Sequence, residues 1–421
     1  VAALYLLARE FLAWEFALLT AAIYAVLPLT VLSSKYGVPD TMLSCLFIFN
    51  FWLQIRLHEK QTWCSYFWCG LGGALALATK YNACFLLFSF MVAHSLAART
   101  RPQPWRYFFD FSRLGFGLSG TLIGLAIGFP LLPFEWKFFC DSLRYEYQHL
   151  FQAGHYGLKI AGLDYFYVFH FIKSILPTTG LLLLLTIIVG LGYICCRRQS
   201  KDLILLGALL PYYAAMEHIY KIPDQPERYV LPLVSLYILG AIILCQRLLS
   251  AFPSRRVIPL LFLIFAAFPL FKTSHLLYYL VPDTREIMKN WIESNLPSQT
   301  VIIEPWPLCP ALYPAYNRAR VQLLPEQLMR RVGNVLRRGH MLANSFFYET
   351  YRAYPDQDPP KTRFFQDLFH QGNLLFQAEP AYQTYLYHNP TLKLYGPTAP
   401  NSVGSGPSPQ PDRPSPPGER P

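Results

Sequence analysis

Long apolar runs alternate with short polar breaks over roughly the first two-thirds of the chain. Residues 12–32, 42–56, 114–134, 176–196, 203–216, 229–246 and 257–275 each form one such run. At about 1.5 Å of rise per residue, a helix of this length crosses most of a hydrocarbon core roughly 30 Å thick. Residues 64–97 are too long for one crossing and are interrupted by Thr79-Lys80-Tyr81-Asn82, which predicts two short helices meeting at that point. Residues 33–40, Ser-Ser-Lys-Tyr-Gly-Val-Pro-Asp, are a polar break between two runs. Pro39 favours an extended residue before it and opens a helix after it, which puts Asp40 at a helix mouth. A carboxylate there is costly facing lipid and is best retained where it meets water, a cation or a ligand.

Between about Glu135 and Lys173 the chain is aromatic-rich, too polar to cross and too apolar to be disordered, so amphipathic helices lying on the bilayer are expected. Beyond Pro282 the pattern becomes that of a small soluble domain. Residues 283–296 have helical periodicity, with Ile287, Trp291 and Ile292 on one face, while 300–304 and 391–395 read as strands. The expected division is a membrane domain over 1–281, a small outer α/β domain over 282–400 and a disordered Pro/Ser/Gly-rich tail over 401–421.

Composition agrees with this pattern. Of 421 residues, 53% are hydrophobic and only 14% charged, against about a quarter charged in soluble domains. The fold class is therefore a polytopic α-helical membrane protein with a small C-terminal α/β domain. The formal charge of +11 does not point to nucleic acid, because the arginines cluster in short loops between apolar runs, the topogenic pattern of cytoplasmic loops. The loops at 56–60, 99–113, 197–201 and 247–256 share one side only if 64–97 is a helical hairpin. Asp40, Lys80-Tyr81, the 135–175 segment, the 217–228 loop and everything after about His275 then share the opposite, outer side. The nine cysteines fall mostly inside apolar runs without metal-ligand spacing and read as small hydrophobes. The chain opens Val-Ala-Ala-Leu, and Val1–Ala8 has the look of a helix end, so a segment before Val1 is expected and no signal peptide is needed.

Four stretches, in this order, carry a resemblance. They are Tyr36-Gly37-Val38-Pro39-Asp40; Gly72-Gly73 through Thr79-Lys80-Tyr81; Glu227-Arg228-Tyr229-Val230-Leu231-Pro232-Leu233; and Asp283-Thr284-Arg285 with Trp291-Ile292 and Asn295-Leu296-Pro297. Together they resemble the C-type, lipid-carrier-dependent glycosyltransferases, whose members include protein O-mannosyltransferases and the lipid A aminoarabinose transferase. Val38 stands where the family's Arg-Pro-Asp-like motif has arginine. The resemblance implies transfer of a sugar from a polyprenyl-phosphate donor to a protein, lipid or glycan acceptor at the outer face of a bacterial inner membrane.

On that reading the leaving phosphate needs positive charge, which Lys80 and Arg228 supply, and Tyr81 and Tyr229 hydrogen-bond phosphate or sugar. Asp40 orients the sugar or holds a divalent metal ion. Glu135, Glu146, His149, His155 and Tyr156 lie near the lipid's path, with His155 the first to test, and Glu217 and His218 begin the last outer loop. The family's catalytic base belongs to a first outer loop expected before Val1, so no residue here is given that role. Two rivals differ in class. A transporter is disfavoured by the lack of an internal repeat and by polar residues gathering at one face; a non-catalytic glycan- or lipid-binding subunit is compatible with the missing loop.

Overall fold

The computed structural model describes residues 1–35, 37–155, 157–221, 226–250, 257–304, 321–323, 331–382 and 389–397. Tyr36, Tyr156 and the 401–421 tail lie outside the described residues. The chain forms two compact units, one of Val1–Val281 with a short return near Ala381, the other of Pro282–Pro380 with the strand that follows Asn389.

The first unit is a helical bundle. Its elements are α1 (Ala2–Ala8), α2 (Trp14–Val26), α3 (Pro28–Lys35), α4 (Pro39–Lys60), α5 (Trp63–Thr79), α6 (Leu86–Arg99), α7 (Pro104–Phe108), α8 (Phe111–Gly128), α9 (Trp136–Gln148), α10 (Leu176–Arg197), α11 (Ser200–His218), α12 (Leu231–Leu249) and α13 (Val257–Tyr279). Among the described residues, five helical stretches are long and apolar enough to cross a membrane, or six if the bent pair α2–α3 counts as one span. The chain is a polytopic helical membrane protein. Its centre is α12, apolar on every side and buried from Leu231 to Ile243, as a helix without a polar face must be.

One expected span is broken. Residues 12–32 do not form a single helix, because α2 and α3 meet at a 59° bend. Leu27, held extended (φ −65°, ψ 136°) ahead of Pro28, supplies the cause. The Val26 carbonyl freed by the bend accepts a hydrogen bond from Thr273 Oγ1 at 2.8 Å, so α13 heals the break. Ser33, Ser34 and Lys35, expected in a polar break, are instead the end of α3.

The expected hairpin over 64–97 forms as α5, a 3₁₀ turn at Tyr81–Phe85, and α6. Its two far ends meet, with Gln61 Nε2 donating to Thr100 Oγ1 at 3.0 Å and Arg101 Nε to Gln61 Oε1 at 2.6 Å. At the same end Lys201 bridges Glu59 (2.7 Å) and Glu10 (3.4 Å), and Glu10 also pairs with Arg56 (3.5 Å). The loops near 59, 100 and 201 thus share one end of the bundle, as their charge pattern requires. Asp40 lies at the other end of α4, about 30 Å away at 1.5 Å per residue.

The helix that carries Lys80 is set by a close backbone contact the periodicity does not reveal. Gly120, Gly124 and Gly128 of α8 face α5, where an added Cβ would come within 2.1 Å of the Phe67 carbonyl oxygen, 2.7 Å of Ala74 Cβ and 2.3 Å of Ala78 Cβ respectively. Small residues four apart let two helices approach closely in a bilayer, where lipid provides no hydrophobic drive to associate. Gly120→Val is expected to force the pair apart and cost about 1–3 kcal/mol, the usual range for overpacking. Gly115→Val, with nothing within 4 Å of its Cβ, serves as the comparison in thermal unfolding in detergent. Equal stability of the two variants would contradict the zipper.

The second unit is a mixed α/β domain. A five-stranded sheet has the order β2-β1-β3-β5-β4, with β1 (Ile302–Glu304) parallel to β2 (Val321–Leu323) and β3 (His340–Asn344), and β5 (Leu392–Gly396) antiparallel to β3 and β4 (Asn373–Ala378). Helix α14 (Thr284–Asn295) packs Met288 and Ile292 against Ile302, Leu342, Leu392 and Leu394, with Ile287 and Trp291 alongside. Trp291 stacks on Phe376 at 4.9 Å. Asp283 caps α14 through the Arg285 N–H (2.9 Å), and Thr284 donates to Asn389 Oδ1 and the Pro390 carbonyl. The Asp283-Thr284-Arg285 motif is accounted for locally as a helix start. Helices α15 (Val332–Leu336), α16 (Ser345–Ala353) and α17 (Pro359–Gln371) are the other helices among the described residues of this unit.

Candidate functional site

Three well-separated segments of the chain bring charge to the end of the bundle where α4 begins. Val38 is extended and Pro39 opens α4, so Asp40 falls in the first turn, where the helix dipole favours a carboxylate. Its side chain is almost wholly buried and accepts from Lys80 Nζ at 2.6 Å. Lys80 is placed by the end of α5, since it is the extended residue (φ −163°, ψ 137°) at which the helix stops before the 3₁₀ turn. A short charge-assisted bond of this kind is among the stronger polar contacts available.

The third segment is the 3₁₀ turn Pro226–Val230 ahead of α12. Its Tyr229 lays a ring 4.8 Å from Lys80 Nζ and 5.5 Å from the Arg228 guanidinium carbon. One ring therefore sits against both cations, an arrangement attractive to each through the ring's quadrupole. Tyr212, fully buried on α11, donates its hydroxyl to the Tyr229 carbonyl at 3.0 Å and accepts from Asn82 Nδ2 at 3.3 Å. It stacks on Phe85 at 5.0 Å. Tyr212 thus ties the turn after Lys80 to the turn bearing Arg228. Sequence reasoning missed it, because a tyrosine inside an apolar run carries no signal of its own.

The segment between residues 135 and 175 adds a fourth side. Helix α9 buries no residue of its own, consistent with the amphipathic surface helix expected there. Its last turns nevertheless bring the Glu146 carboxylate to the site, where it acts electrostatically on Lys80, Tyr81 and Tyr229. His149, on the π-helical turn that follows, stands edge-to-face with His155 at a centroid distance of 4.0 Å. His155 in turn lies 6.3 Å from the Tyr229 ring. Burial, then His149 and Arg228, push the His155 imidazole down to about 3, so it is neutral at physiological pH. Burial also lowers His149, opposed by Glu146.

Asp40, Lys80, Tyr81, His155, Arg228 and Tyr229 are therefore gathered in one place. Glu146 and His149 join them. The other candidates do not. Glu135 is exposed at the start of α9, eleven residues from Glu146 and about 16 Å away along a helix. His218 ends α11 on the surface, with Phe151 at 6.1 Å.

Glu217 is buried for a structural reason. Its Oε1 accepts from the His170 backbone N–H at 2.8 Å, and its other oxygen lies 3.9 Å from Lys221 Nζ. Lys221, which burial pushes down to about 8, also donates to the Ile219 carbonyl at 2.9 Å and to the Met216 carbonyl. The backbone N–H groups of Tyr220 and Lys221 donate to the Leu150 and Ile160 carbonyls. This knot pins the segment around Leu150 and Ile160 to the end of α11.

Among the described residues no group of three or more His, Cys, Asp or Glu side chains forms a set able to hold a metal ion. Asp40 is committed to Lys80, so the residues present do not fit a metal at Asp40. What the site offers is two cations, two carboxylates and phenolic hydroxyls around a neutral histidine. Such a set suits a ligand with a concentrated negative charge beside a polyhydroxyl group.

No curated protein matches the chain. Residues 1–112, the segment that includes Asp40, Lys80 and Tyr81, match the family model described as dolichyl-phosphate-mannose-protein mannosyltransferase.

Proposed function

We propose that the protein is a membrane glycosyltransferase that moves a sugar from a polyprenyl-phosphate carrier to an acceptor hydroxyl at the outer face of a bacterial inner membrane, with its C-terminal domain outside. The observation that carries this reading is the convergence of Lys80, Arg228 and Tyr229 with Asp40 at the bundle end opposite the basic loops. The acceptor oxygen attacks the anomeric carbon as the bond from that carbon to the phosphate oxygen breaks, inverting the configuration. The electron pair leaves with the phosphate, and the acceptor proton passes to a base.

Arg228 stabilises the charge developing on the departing phosphate through paired hydrogen bonds, a geometry lysine cannot reproduce. Lys80 adds a second positive charge, held in position by Asp40. Tyr81 and Tyr229 present hydroxyl and ring to the sugar. Asp40, already accepting from Lys80, is a positioning residue and not the base.

The proposal predicts a build-up of donor when the activity is removed. In cells lacking the intact protein, mass spectrometry of the lipid extract should show a polyprenyl-phosphate sugar accumulating and one glycan losing a sugar. An unchanged profile of both would overturn the reading.

A further inference from the structure

His155 is held more elaborately than a surface histidine requires. It follows Gly154 (φ +73°) and precedes, by two residues, Gly157 (φ +85°). Both angles lie in the left-handed region that glycine adopts without strain. At Gly154 there is also no room for a side chain, because a Cβ would come within 2.0 Å of the Leu158 carbonyl oxygen. The His155 carbonyl closes the turn by accepting from the Leu158 N–H at 2.9 Å. The imidazole so placed is 2% exposed, and its Nε2 is buried without a hydrogen-bond partner among the described residues. Leaving such an atom unsatisfied costs about 1–3 kcal/mol, which a ligand bond would recover.

Its charged and titratable surroundings come from two directions. His149 and, behind it, Glu146 face it from α9 and its π-helical extension; Arg228 and Tyr229 face it from the turn before α12, with the Asp40–Lys80 pair beyond Tyr229. With the site empty, Arg228 opposes a proton on His155. An anion seated on Arg228 reverses that sign, since it neutralises the guanidinium and adds a negative neighbour.

We propose that His155 takes up a proton when a phosphate group settles against Arg228, and donates the resulting N–H to a phosphate oxygen. The balance is simple. One proton from solvent joins Nε2, and the pair formed is imidazolium with a phosphate dianion. A monoester phosphate is the species that leaves in the proposed reaction, whereas the donor diester carries one negative charge fewer. His155 therefore favours the departing phosphate over the bound donor, which is where catalysis gains. His149, its ring edge-to-face with His155, is a positioning residue for that proton. This inference rests on the proposed phosphate site.

The test is calorimetric titration of the full chain in nanodiscs at pH 7.5 with undecaprenyl monophosphate, repeated in buffers of different ionisation enthalpy to count protons. The expected result is uptake of more than half a proton per lipid bound, with affinity falling as the pH rises through the raised imidazole value. His155→Gln should bind about tenfold more weakly with no uptake, because glutamine can hydrogen-bond but not titrate.

Binding without uptake, or uptake that persists in His155→Gln, would overturn the role of His155 while leaving the phosphate site standing. Equal binding of undecaprenol, which lacks the phosphate, or no binding of undecaprenyl monophosphate by the wild type, would overturn the phosphate site itself. Inorganic phosphate at equal concentration identifies the source. His155-dependent uptake with inorganic phosphate and none with the lipid would overturn a lipid headgroup as the ligand.

Discussion

Arg228→Ala is expected to lower turnover by about 10²–10³, the usual consequence of removing one donor aimed at charge that develops in a transition state. Arg228→Lys should recover only part of this loss, because a lysine ammonium provides a point charge where arginine grips two oxygens. The side chain lies against Tyr229 in the turn ahead of α12 and belongs to no long helix. The fold should therefore survive the change, and unfolding temperatures in detergent should stay close to wild type. Donor turnover near wild type in Arg228→Ala would reduce the residue to an interfacial anchor.

The second large effect concerns the pair Asp40 and Lys80. Removing one member of a buried pair strands the other charge and typically costs about 3–5 kcal/mol. Asp40→Ala should thus lower the unfolding temperature sharply, since Lys80 loses its 2.6 Å partner. Replacing both together, Asp40→Asn with Lys80→Met, leaves no stranded charge and should restore most of the stability. Activity should not return with it, because the cation near the phosphate is gone. A stable double variant with near wild-type turnover would show that the pair serves only the fold.

Much of this site was legible in the sequence because its residues sit at breaks in the hydrophobic pattern. Pro39 marks the start of α4 and so locates Asp40; the Thr79–Asn82 interruption locates Lys80 and Tyr81; the polar loop before the 229–246 run locates Arg228. A polar residue at a helix end needs only a one-dimensional pattern to be found. Glu146 and His149 were harder to separate from Glu135, because an amphipathic surface helix spaces its polar residues alike and only the packing of its last turns selects two of them. Glu217 is the complementary case, since a carboxylate at the start of a polar loop can equally be consumed by a buried pair with Lys221.

Contacts that depend on the third dimension left weaker traces. Tyr212 binds two turns distant in sequence, and tyrosine is too common in membrane proteins to stand out. The Gly120, Gly124 and Gly128 ridge has a readable four-residue spacing, yet its partner Ala74 and Ala78 on α5 could not be assigned without the fold. Pro28 was a local signal that the length of the apolar run obscured. A run long enough to span invites a straight helix, whereas the proline forces Leu27 into extended geometry and α13 supplies the missing donor.

The most direct test of the central claim is release of free polyprenyl phosphate by the protein in nanodiscs with a polyprenyl-phosphate sugar and a cell-envelope acceptor fraction. Mass spectrometry should detect polyprenyl monophosphate and a glycosylated acceptor in equal amounts, both lost in Arg228→Ala. Persistence of intact donor across every polyprenyl-phosphate sugar supplied would contradict the assignment of this bundle as a glycosyltransferase.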